Sequence, residues 1–256
     1  MRRFLRSLVA MAALGVLIFS LYQVYGIMKE SRANNKLNEQ LIDEAVVMVT
    51  PDPGSESEIT EEPIKMQEQA PIEVDFSRLW SENEDIIGWL YCEDTPINLP
   101  IVQAEDNDRY LRRLIDGSWN MAGTLFADYR NSSEFSDWNT VVYGHNMKND
   151  SMFGTLPNYK SQEYYDVHPI MWLLTPTGDY KIELVAGYVT PTTSDVYSFG
   201  QSEEAVFSTV QQIMEKSTFT TDAELTQEDR FLTLSTCSYE YNNARYVLIG
   251  RLIPLV

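Results

Sequence analysis

The sequence predicts a mainly β domain carried behind an N-terminal membrane helix. Three observations point there. From Trp89 onward, short β-branched and aromatic runs recur between turn residues; helical periodicity is confined to a few short stretches; and residues 7–28 form an uncharged, apolar run. Eight strand-like runs with so few helices point to a closed barrel or a sandwich.

In chain order, Arg2, Arg3 and Arg6 come first, then the apolar run, closed by Lys29. Twenty-two residues rising 1.5 Å each give about 33 Å, enough to cross a hydrocarbon core of ~30 Å. Tyr22 and Tyr25 sit near its far end, where aromatic rings favour the interface. The clustered arginines make residues 1–6 a cytoplasmic tail and put the rest outside the cell. A cleaved signal peptide fits less well, because the apolar core exceeds the usual h-region of roughly 7–15 residues and no small-x-small site follows it directly.

Residues 29–75 read as a flexible acidic stalk. Between Glu30 and Asp75 there are twelve Asp and Glu against three Lys and Arg, too little apolar surface to offset chain entropy. Residues 76–256 form the folded domain, long enough for one well-buried core. They hold 26 acidic and 12 basic side chains within a chain of net charge −19, and no basic patch supports nucleic-acid binding.

Asp75 caps an expected helix through Phe76, Leu79, Trp80, Asn83, Ile86 and Ile87, ended by Gly88. Expected strands are 89–92, 97–103, 123–127, 140–143, 170–175, 179–190, 230–235 and 245–253, with a turn at Pro176-Thr177-Gly178-Asp179. Helical insertions are expected over 107–115, 151–159 and 203–216, the last with Ala205, Val206, Val210, Ile213 and Met214 near one face.

Chemistry concentrates at three residues. Cys237 ends Leu232-Thr233-Leu234-Ser235-Thr236-Cys237, Arg245 opens the next strand, and His145 follows Val141-Val142-Tyr143-Gly144. A thiol is nucleophilic only as thiolate and needs a positive or hydrogen-bonding neighbourhood. An imidazole moves protons near neutral pH, and a guanidinium offers planar donors to a developing oxyanion. Cys92, in Trp89-Leu90-Tyr91-Cys92, reads as a buried small hydrophobe, with both cysteines free. His168, before Pro169, reads as an exposed loop residue. Two His and two Cys without ligand spacing argue against a zinc site, and no glycine-rich phosphate loop follows a strand.

The Cys237 and Arg245 pattern, with Tyr143-Gly144-His145-Asn146-Met147, resembles the class B sortases, membrane-anchored cysteine transpeptidases of Gram-positive bacteria. Supporting matches are Asn83–Leu90, Pro100–Gln103 with Asp106-Asn107 and Tyr110-Leu111, Met152–Leu156 and the 203–216 helix. The resemblance implies an eight-stranded sortase-type β-barrel with an N-terminal helix and helical insertions. It makes Cys237 the nucleophile, His145 the general acid and base, and Arg245 the carbonyl or oxyanion stabiliser. Asn107, Thr193, Tyr197 and Ser235 match positions that line the peptide groove.

The implied reaction cleaves an Asn-Pro-x-Thr-x-like C-terminal sorting motif after Thr, through a thioacyl intermediate. It then passes the protein to an amine of a peptidoglycan cross-bridge or lipid-linked precursor, with no metal or organic cofactor. A pilin-polymerising class B enzyme using a pilin lysine would carry the same residues. A non-catalytic membrane-anchored binding module would be expected to lack one of the three. A papain-like protease is disfavoured, because its Cys precedes its His and begins a helix.

Overall fold

The computed structural model describes residues 2–49 and 69–255. Helix α1 spans Arg2–Ala45, and its stretch Met11–Ala45, with a mean hydropathy of 1.7 over its most apolar window, is long and apolar enough to cross a membrane. Two compact units divide at Gln40 and Leu41.

The second unit starts earlier than the sequence boundary at residue 76. Val46–Met48 (β1) pairs antiparallel with Ile72–Val74 (β2), and the Asp75 N–H donates to the Ala45 carbonyl at 2.8 Å. Leu41, Ala45, Ala70 and Ile72 are buried. The few apolar residues of the acidic segment are thus spent on a small ribbon, which corrects the expectation of a stalk running uninterrupted from 29 to 75. Residues 50–68, the most acidic part of that stalk, lie outside the described residues.

Phe76–Glu82 forms α2, where the Asp75 carboxylate accepts the Arg78 N–H as cap. The helix stops at Asn83, sooner than expected. Asn83 is extended there and its Nδ2 donates to Tyr110 Oη and the Ile115 carbonyl, so Ile86 and Ile87 join a strand.

Eight strands close into a barrel: β3 (Ile86–Tyr91), β4 (Asn98–Val102), β5 (Leu125–Ala127), β6 (Asn139–Tyr143), β7 (Ile170–Leu174), β8 (Tyr180–Pro191), β9 (Arg230–Cys237) and β10 (Ala244–Pro254). Their order around the barrel is β10-β8-β7-β3-β4-β5-β6-β9. The pairs β4–β5 and β6–β9 are parallel and the others antiparallel.

Each strand contributes inward residues to one core: Leu90, Ile101, Leu125, Val142, Leu173, Leu184, Leu234 and Leu248, in that order along the chain. Alternate residues of β8, β9 and β10 (Val185, Phe231, Val247 and Ile249) form a second cluster with Val206, Val210 and Ile213 of α4 (Glu203–Met214). Those three strands are therefore buried on both faces over most of their length, and the buried polar residues of β9 are hydrogen-bonded: Thr233 to Asn139, Ser235 to Tyr197 and Thr236 to the Gly144 carbonyl.

Two expected helices are largely absent. Residues 107–115 form successive turns, and 151–159 are turns leading into a 3-10 helix at Leu156–Lys160. A short helix not anticipated, α3 (Gln162–Val167), follows and ends at His168. There the His168 ring is half-buried against Tyr164, with centroids 4.4 Å apart, rather than exposed.

Candidate active site

Strand direction assembles the site. Because β6 and β9 are parallel, their C-terminal ends leave the barrel at one rim. Antiparallel β10 begins at that same rim. Cys237 is the last residue of β9, His145 lies two residues beyond the end of β6, and Arg245 is the second residue of β10. The ladder sets Arg245 opposite Cys237 and Tyr143 opposite Ser235.

Backbone bonds hold the His and Cys segments together. Gly144 N–H donates to the Ser235 carbonyl at 3.1 Å, Thr236 Oγ1 donates to the Gly144 carbonyl at 2.8 Å, and Asn146 Nδ2 donates to the Cys237 carbonyl at 2.8 Å. Glycine is required at 144 by packing: a Cβ there would stand 2.5 Å from Leu125 and 2.6 Å from Phe153.

Cys237, His145 and Arg245 line one cleft of about 340 Å³ with Leu111, Arg130, Tyr143, Thr192, Tyr197, Ser235 and others. In a chain of net charge −19, no Asp or Glu is among the lining residues, and two Arg are. Cys237 is half-buried. His145 Nε2 lies 2.7 Å from the Leu111 carbonyl oxygen. A carbonyl only accepts, so Nε2 carries the proton and Nδ1 the lone pair. Burial pulls the His145 pKa below its ordinary value and so favours the neutral ring, helped by the Arg112 charge and opposed by the Leu111 carbonyl.

The missing 107–115 helix has a use here. Asp106 Oδ1 takes the Asp108 and Arg109 N–H groups and caps a first turn, but the Tyr110 and Arg112 carbonyls then accept from the Thr124 and Asn120 N–H groups, so no helix continues. A continuous helix would spend the Leu111 carbonyl on Ile115 N–H; the turn leaves it to hold His145.

The cleft wall is aromatic. Tyr143 contacts Phe126 and stacks on Tyr197, with centroids 5.3 and 6.3 Å away. Tyr197 Oη and Ser235 Oγ are hydrogen-bonded at 2.8 Å, and burial pushes the Tyr197 phenol up to about 12. Beneath, Asp128 is fully buried and takes hydrogen bonds from Arg130 Nε and Nη2 (both 2.8 Å), Asn107 Nδ2 (2.9 Å) and Tyr143 Oη (3.0 Å). Burial works to raise the Asp128 pKa, but these donors outweigh it and hold the carboxyl below its usual range.

Of the residues expected in the groove, Ser235 and Tyr197 line the cleft. Thr193 is exposed and outside the lining, where its neighbour Thr192 stands instead, because the chain turns there after β8. Asn107 is also absent from the lining and acts one layer down, on Asp128 and the Tyr129 N–H. Arg130, Asn146 and the Leu111 carbonyl were not singled out by sequence reasoning. Only Asn146 had a signal, adjacency to His145. Among the described residues, no three His, Cys, Asp or Glu side chains cluster as a metal site.

Such a cleft offers a sulfur nucleophile, a neutral imidazole and a fixed cation to an acyl group. Residues 90–253 match the sortase domain family. Sortase B of Listeria monocytogenes is 33% identical over 98% of both chains, and sortase B of Staphylococcus aureus 29% identical over 73% of this chain and 78% of its own. Among solved structures, Bacillus anthracis sortase B in complex with AAEK1 is 32% identical with a TM-score of 0.71, covering 89% of this chain and all of that one. A Staphylococcus aureus sortase B–substrate complex is 28% identical with a TM-score of 0.67, covering 71% of this chain and 85% of that one. The match runs through all the strands that carry Cys237, His145 and Arg245, and the chain belongs to the sortases as a class B cysteine transpeptidase.

Proposed function

We propose that the enzyme cuts a C-terminal sorting motif of the Asn-Pro-x-Thr-x type after Thr and joins the new carboxyl end to a cell-wall amine. The Cys237 thiolate attacks the threonine carbonyl carbon, and the carbonyl electrons move to oxygen, where Arg245 holds them. The C–N bond breaks, the departing amine takes the proton that His145 had accepted from the Cys237 thiol, and a thioester remains on Cys237. An amine from a peptidoglycan cross-bridge or lipid-linked precursor then attacks, gives a proton to His145 and releases the thiolate. His145, Cys237 and Arg245 are thus the catalytic residues, with Ser235 and Tyr197 in the peptide groove.

The observation that carries this reading is the shared cleft: three side chains at the rim ends of β6, β9 and β10 line it without a competing carboxylate. In the same reading residues 7–28 cross the membrane once, residues 1–6 remain cytoplasmic and the barrel works outside the cell. A tether of this kind raises the effective concentration of membrane-linked substrates.

The test incubates the full chain in detergent with sorting peptides and examines it by mass spectrometry. A thioester adduct on Cys237, lost in Cys237→Ala, is expected; peptide cleavage retained by Cys237→Ala rejects the assignment. Arg245→Lys should lose most of the rate, since a point charge cannot replace a planar fork; near-normal activity would reject that role.

A further inference from the structure

Arg130 is a cleft-lining cation that the mechanism above does not use. Its Nε and Nη2 are fixed by the two oxygens of buried Asp128, and the guanidinium lies 3.7 Å from the Phe199 ring centroid. Asp128 is itself held by Asn107 and Tyr143, so the fork is braced from both sides. Nη1 has no partner among the described residues, and the side chain is 44% exposed. A buried carboxylate that fixes one edge of an arginine presents the remaining donors at low entropic cost.

Its position along the groove follows from the register. Ser235 lies two residues before Cys237, about 7 Å along β9. Tyr143 sits opposite Ser235 and reaches Asp128 with its hydroxyl. Arg130 therefore stands on the order of 10–13 Å from the sulfur, a distance an extended peptide covers in about three residues.

We infer that Arg130 binds the side-chain oxygen, carboxamide or carboxylate, of the sorting-peptide residue about three positions before the attacked carbonyl. In an Asn-Pro-x-Thr peptide that residue is the asparagine. The inference rests on the sorting-peptide reading above and adds a specificity-determining residue to it.

The experiment measures kcat and KM on Asn-Pro-Gln-Thr and Ala-Pro-Gln-Thr quenched peptides, with wild-type full chain and Arg130→Met. Wild type should prefer the Asn peptide. The variant should lose about ten-fold in kcat/KM on that peptide, through KM, and little on the Ala peptide, so that the preference collapses.

Arg130→Met strands the Asp128 charge and can unfold the barrel. Asp128→Asn/Arg130→Met removes that charge, and Arg130→Lys keeps a cation without the planar fork of donors; both should narrow the preference too. An unchanged Asn preference in folded variants, or equal losses on both peptides, overturns the inference. Failure of the wild-type enzyme to form a Cys237 thioester with any peptide instead sinks the underlying reading, and this inference with it.

Discussion

Cys92 and Cys237 stand in contrasting regions of one barrel. Cys92 follows directly on β3 and packs into the central core at 1% exposure, its sulfur 3.8 Å from both Tyr159 Oη and the Ile170 carbonyl. Burial pushes its thiol pKa up. Cys237 ends β9 at an open rim, half-buried, with a guanidinium as its cross-strand partner. Two identical side chains at strand ends thus differ in chemistry because of what the sheet places beside them. A thiol walled in by apolar side chains is held in its protonated form, whereas one facing a cleft and a cation has the setting a nucleophile needs.

The largest test of that contrast exchanges the thiols for methyl groups. Cys237→Ala should abolish turnover while leaving thermal unfolding unchanged. Cys92→Ala should keep turnover and lose about 1 kcal/mol of stability from the small cavity, read by denaturant titration. Iodoacetamide should label Cys237 in the native protein and Cys92 only after unfolding. Equal labelling of both in the native state would dissolve the distinction.

Next in size, His145→Ala should cost about 10²–10⁴ in rate, measured as kcat/KM on a sorting peptide. Less than a ten-fold loss would mean that proton transfer does not depend on this ring.

A smaller effect is expected from the packing beneath the rim. Gly144→Ala drives a methyl group into Leu125 and Phe153 and should cost about 1–3 kcal/mol, with activity falling as His145 is displaced. Unaltered stability would show that the rim yields more readily than the core below it.

The smallest effect concerns pH. The folded-state pKa of His145 lies below its unfolded value, chiefly through burial. Above pH ~6.5 the ring is neutral in both states and contributes nothing. As pH falls through that value the unfolded chain takes up the proton first, so the folded form loses stability. Relative to His145→Gln, wild type should therefore become less stable between pH 7 and 5, as denaturation midpoints would register; a gain would reverse the sign of the argument.

Much of this was legible in the sequence because the barrel obeys simple periodicity. All eight runs became strands, and the Cys237, His145 and Arg245 segments each ended or began one at the same rim. Other features were hidden by ambiguity of period. Ile86 and Ile87 suit a helix face and a strand alike, and only the Asn83 side chain, bonded to Tyr110 and Ile115, decides between them. Residues 107–115 carry Tyr110, Leu114 and Ile115 at near-helical spacing, yet the Tyr110 and Arg112 carbonyls bond the distant Thr124 and Asn120 N–H groups and a chain of turns results. Thr193 lies outside the cleft and Thr192 lines it, a one-residue difference within an exposed turn that residue type alone does not decide. Arg130 left no sequence trace, since its neighbour Asp128 is one of 38 carboxylates and Phe199 meets it only through the fold.

The parallel pairing of β6 with β9 joins residues some ninety positions apart, Tyr143 with Ser235. Contacts so distant in the chain form late, after the entropy of a long loop has been lost. Until that seam closes, the rim that brings Cys237 and His145 together is not assembled.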